Sequence, residues 1–145
     1  MGKFIRFQAH GVSMKPLVRD GDMLFVEPLC QEPIRLGEVV LCRTNNNRVI
    51  VHRVVQRHGR KDKKTYLVQG DQVRQPDGWL EKGQILGRLT TVERDGRVID
   101  LEKPTMKTLG VYAALRSRFG WGTMRLPRFG AKIAKHLPFI GFLLR

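Results

Sequence analysis

The sequence has no uninterrupted apolar run of the roughly 18 residues that a membrane-crossing helix requires. The longest late apolar stretch, "LPFIGFLL" at 137–144, is too short and holds Pro138 and Gly141. Cysteine is scarce: Cys30 and Cys42 are the only two. One pair cannot make a disulfide framework, so two reduced, buried thiols are expected. No further cysteine and no histidine cluster completes a metal-ligand set, so neither a metal nor a cofactor is expected. Met1 to His10 is short and interrupted by polar residues, which does not suit a secretory leader. Acidic residues stop at Glu102: residues 103–145 carry nine Lys/Arg and no Asp or Glu. The first 102 residues hold the remaining 18 basic and all 13 acidic side chains, so most of the net +14 belongs to the tail. No internal repeat or low-complexity segment is visible.

What is present reads as a single globular unit of 145 residues, 41% hydrophobic and 28% charged, long enough for a real core. Short β-branched and apolar runs are separated by turn signals. They are "DMLFVEP" (22–28), "GEVVLCR" (37–43), "NNNRVIVHRVVQR" (45–57) and "KTYLVQGD" (64–71). Residues 83–102 read as two strands around the Asp95-Gly96 turn. "RHGRKDKK" (57–64) reads as a solvated hairpin loop. The pattern predicts an antiparallel, folded-over or barrel-like sheet over residues 1–102. From 103 onward a basic amphipathic helical tail is expected. Its first helix, 105–119, would present Met106, Leu109, Tyr112, Ala113 and Leu115. A second amphipathic piece is expected at about 128–137.

Candidate chemistry begins at Ser13, in a bent segment between Gly11 and Pro16. A lone serine there is ordinarily a turn residue. It gains meaning only beside a base and an orienting acid. Of the four histidines, His58 and His136 fall in charged segments, and His10 is too close along an extended segment to face Ser13. In "RVIVHRVVQ" the period of two puts Ile50, His52 and Val54 on one face. An imidazole on an apolar face needs a hydrogen-bond partner. "QGDQVRQPDGW" (69–79) places Asp71 and Asp77 in a loop after a strand. Either carboxylate could fix the tautomer of a nearby histidine, and spacing does not choose between them.

These segments carry a resemblance. "GVSMKPLVRDGDMLFVEP" (11–28) resembles the Ser-Met-x-Pro box of signal peptidase I and the wider S24/S26 serine peptidase clan. "GEVVLCR" is similar to the following strand box, and "VIVHRVV" to the box that supplies the general base. "YLVQGDQVRQPDGW" resembles the Gly-Asp box, and "LEKGQILGRL" the closing strand. Five boxes in the family's order cover about residues 11–90. The base position holds His52 rather than lysine, as in the endoplasmic-reticulum and archaeal Ser-His-Asp type. The resemblance implies Ser13 as nucleophile, His52 as general base and Asp77 as the orienting acid. Asp71 would be a supporting or alternative acid.

The resemblance further implies a partly open β-barrel fold and hydrolysis through an acyl-enzyme, after small residues in a leader or signal segment. The Ser13 backbone N–H is the expected oxyanion donor. Some relatives carry a serine two residues before the nucleophile, where this chain has Gly11. No span-length segment lies in the 12 residues before Ser13, so any membrane contact is expected to be peripheral. The tail at 103–145 suits an anionic membrane surface or a partner subunit; nucleic acid is the least favoured partner. The alternative is a non-catalytic regulatory module that binds through the tail. Self-processing would need an internal small-residue site, for which "YAAL" (112–115) is the candidate.

Overall fold

A computed structural model describes residues 4–29, 32–60 and 63–119. The expected second amphipathic piece, the run at 137–144, Cys30 and His136 lie outside them. The described strands, in chain order, are β1 (Ile5–Gln8), β2 (Met23–Pro28), β3 (Val39–Arg43), β4 (Val49–His58) and β5 (Thr65–Gln69). β6 (Gly78–Glu81), a short 3-10 turn (Lys82–Gln84), β7 (Ile85–Arg94), β8 (Arg97–Asp100) and the helix α1 (Pro104–Phe119) follow. The strands form one antiparallel sheet in the order β1-β2-β7-β3-β4-β5-β6, with β8 paired to β7. The sheet curls into a half-barrel, a mainly-β fold as expected.

Two strands escaped the sequence reading. β1 holds Arg6 and Gln8 among its four residues, and β6 is only "GWLE". Both are short edge strands with little burial, so neither shows a hydrophobic period. The Asp95-Gly96 turn is as expected: φ is 48° and 72° at the two residues, the positive pair that a two-residue hairpin turn requires.

The apolar runs are continuous because the sheet is buried on both faces. Val39 and Leu41 of β3 pack with Leu24, Val26, Leu89 and Val92. Their neighbours Val40 and Cys42 pack on the opposite side with Val54, Tyr66, Val68 and Leu80. Each such Val or Leu contributes about 1.5–3 kcal/mol of burial. Register breaks between Phe25 and Val26, Leu41 and Cys42, and Val54 and Gln56 bend the strands in the manner of bulges.

α1 packs on β4; the expected stripe is half-buried, with Met106 against the core of Leu24, Val26 and Leu89. The buried residues of α1 are Gly110 and Ala114, and Arg118 Nε donates to Gln56 Oε1 at 2.7 Å. These positions, four apart, form one helix face. Gly110 admits the backbone of Gly37, in the turn before β3, a signal that a search for large apolar side chains passes over. The "YAAL" segment lies within α1, and Ala114 is fully buried. Among the described residues no helix is long and apolar enough to cross a membrane.

Candidate active site

Ser13 is held by a tight turn whose apolar residues anchor it in the core. Met14, Leu17 and Val18 are buried with Leu24 and Val26. The turn closes through Lys15 N–H to Val12 O at 3.1 Å and Val18 N–H to Met14 O at 2.9 Å. A carboxylate fixes its far end: Asp22 accepts from Arg19 N–H at 2.7 Å and from the Arg94 guanidinium at 2.8 and 2.5 Å. Arg94 also donates to Leu17 O at 3.0 Å. Asp22 thus ties the far end of the Ser13 turn to the end of β7.

His52 comes from the middle of β4 and is buried. β5 ends at Gln69, opposite Arg53, so the side of β4 at His52 is left to the loop that follows. That loop returns as β6, and Asp77 N–H bonds to Val68 O at 2.9 Å just before the strand begins. The Asp77 carboxylate thereby reaches His52: Oδ2 lies 2.5 Å from Nδ1. On the other side of the ring, Nε2 lies 2.9 Å from Ser13 Oγ. With Nδ1–H donated to the carboxylate, Nε2 is left to accept the serine proton. Among the described residues, then, the structure places Ser13, His52 and Asp77 in one hydrogen-bonded chain.

Asp71 is not part of that chain. Its two oxygens accept from Arg53 Nε and Nη2, each at 2.7 Å, and Arg53 Nη1 donates to Gly37 O at 2.8 Å. The expectation of Asp71 as an alternative orienting acid is corrected by this geometry. Both oxygens are committed to a guanidinium on the other face of β4, which leaves it a supporting position. His52 and Arg53 are successive strand residues and point to opposite faces.

The same loop is tied to the Ser13 turn. Gln72 N–H donates to Ser13 O at 2.8 Å and Gln72 Nε2 to Lys15 O at 2.9 Å. Gly70 is required by close approach: a Cβ there would sit 2.9 Å from Ser13 O and 3.0 Å from His52 Nε2. Arg53, Arg94 and Gln72 were not singled out from the sequence. An arginine just before a turn or beside a candidate base carries no signal until its partner is known.

The remaining candidates lie apart. His10 is exposed, with Nδ1 3.9 Å from Asp20, and His58 meets the Trp79 ring edge-on. Cys42 is buried and free. Its thiol is pushed up to about 12, first by burial and second by the charge of Asp77, which keeps it protonated and inert. The Ser13 N–H makes no hydrogen bond among the described residues, leaving it available as a donor. Gly11 contributes no hydroxyl, and its own N–H is taken by Asp20 Oδ1 at 2.8 Å. Among the described residues, no group of three or more His, Cys, Asp or Glu could hold a metal ion.

A serine, a histidine and an aspartate thus stand in line beside the β4 strand of this curled sheet. Residues 2–89 match the peptidase S24-like family model, and the chain belongs to that family. It is similar to the signal peptidase complex catalytic subunit SEC11C of Canis lupus familiaris and of Homo sapiens, 33% identical over 86 residues. That match covers 52% of this chain and 45% of each relative. The putative signal peptidase complex catalytic subunit SEC11B of Homo sapiens is also 33% identical over 86 residues, with 52% of both chains covered. The chain thus spans about half the length of the curated relatives it matches.

Proposed function

We propose that the protein is a serine endopeptidase of signal peptidase type, cleaving leader or signal segments after small residues. The observation that carries this reading is the continuous chain from Ser13 Oγ through His52 to Asp77, at 2.9 and 2.5 Å. His52 removes the hydroxyl proton as Ser13 Oγ attacks the scissile carbonyl. Asp77 holds the ring in the tautomer with Nε2 free to accept, and stabilises the imidazolium as it forms. The Ser13 N–H faces the developing oxyanion. The protonated His52 passes its proton to the leaving amine, and the acyl chain remains on Ser13. Water activated by His52 then hydrolyses the ester and restores the serine. The substrate would lie extended along a strand edge. Family membership and the likeness to signal peptidase catalytic subunits support the same reading.

The test is acid quench of the enzyme during cleavage of a synthetic leader peptide with an Ala-x-Ala site, followed by peptide mass mapping. The expected result is an acyl adduct on the fragment containing Ser13. An adduct on another residue overturns the assignment.

A further inference from the structure

The family match ends at residue 89, yet a later element braces the candidate site. We propose that α1 is a positioning element for the catalytic loop, acting through the contact between Gly110 and Gly37. This rests on the catalytic reading of Ser13, His52 and Asp77.

The contact is backbone on backbone. A Cβ at Gly110 would lie 2.6 Å from Gly37 O and 3.2 Å from Arg53 Nη1. A Cβ at Gly37 would lie 2.5 Å from Val111 N. The helix therefore presses on the very carbonyl that accepts from Arg53 Nη1. That guanidinium is 4% exposed and spends its other two donors on Asp71. Asp71 and Asp77 bracket one loop, whose Gln72 also holds the Ser13 turn. A shift of α1 thus moves Gly37 O, then the fork on Asp71, then the loop that sets Asp77 on His52.

Two features make this brace sensitive. The guanidinium geometry is fixed and planar, so it cannot follow its three acceptors independently. A cavity of about 490 Å³ also lies between α1 and the sheet, walled by residues such as Leu36, Leu89, Met106 and Leu109. α1 is anchored beside this space by Met106 on the core of Leu24, Val26 and Leu89 and by Ala114 on Val55 and Leu67, so a change at Gly110 has room to tilt the helix toward the cavity.

The experiment compares Gly110→Ala and Gly110→Val with the wild-type full chain and with Thr105→Ala on the exposed side of the helix. The readouts are kcat and KM for the synthetic leader peptide, and the far-downfield proton resonance of the His52–Asp77 hydrogen bond. Asp77→Asn identifies that resonance by abolishing it. The expected result is a kcat about tenfold lower in Gly110→Val, because small misplacements of catalytic groups are costly. Gly110→Ala falls between it and wild type, KM stays within about twofold, and the resonance broadens in the same order. Thr105→Ala matches wild type. If the valine variant does not fold, as judged by circular dichroism, the alanine variant carries the test. Folded Gly110 variants with wild-type kcat and an unchanged resonance overturn the proposal while leaving the catalytic reading intact. A wild type that neither cleaves nor loses a resonance in Asp77→Asn overturns both.

Discussion

Asp71 and Asp77 sit six positions apart in one loop, and the two faces of β4 divide them. On one face Asp77 meets His52, which meets Ser13. On the other, Asp71 is locked to Arg53 and, through it, to Gly37. The first carboxylate meets a ring that changes its protonation in the proposed mechanism, and its side chain is 25% exposed. The second is 11% exposed and held at both oxygens by a permanently charged group. Similar residues in similar dipeptides thus do different work. The deciding factor is which of two successive strand residues each one reaches.

Substitutions can break this division. The largest effect is expected from Asp77→Asn, with kcat reduced about ten-thousand-fold through loss of the productive tautomer. Its urea midpoint should stay close to wild type, since the loss falls on chemistry. Asp71→Asn should reverse the pattern. Removing one partner of a buried ion pair costs about 3–5 kcal/mol, read as a large drop in urea midpoint. Its kcat should fall far less than that of Asp77→Asn.

The double substitution Arg53→Met with Asp71→Leu sharpens the comparison. Replacing both charges by apolar groups should recover most of the stability lost in Asp71→Asn. The rate lost through the positioning of the loop should not return. Equal recovery of stability and kcat would show that the pair serves folding alone.

The smallest expected effect involves Cys42, below Asp77 on the His52 face. Its thiol has an ordinary value of 9.0 and is raised to about 12 by burial and then by Asp77. Above the ordinary value the unfolded chain loses this proton while the folded chain keeps it. Folding stability from this group is therefore intact below pH 9.0 and declines as pH rises toward about 12. Urea midpoints across that window should fall less steeply for Cys42→Ala than for wild type. Asp77→Asn should lessen the slope slightly, and Asp71→Asn should leave it unchanged.

Much of this was legible in the sequence because the relevant signals are local. The β-branched runs of β3, β4 and β5 and the Asp95-Gly96 turn follow from period and turn chemistry. His52 on the face of Val54 follows from alternation. The ordered boxes brought Ser13, His52 and Asp77 to notice, since no spacing rule could. The supporting shell was not legible. Arg53 and Asp71, or Arg94 and Asp22, become partners only when distant strands pair. The closest contact of α1 was not legible either, because Gly110 and Ala114 are buried by being small, whereas Leu109 and Tyr112 draw attention by being large.

Whether Ser13 performs the chemistry is tested by one pair of proteins. Cleavage of the leader peptide is measured for wild type and Ser13→Ala, with circular dichroism confirming the same fold for both. Ser13→Ala is expected to keep the wild-type spectrum and to lose cleavage at least about a thousandfold. Cleavage by the folded variant at the wild-type rate would contradict it.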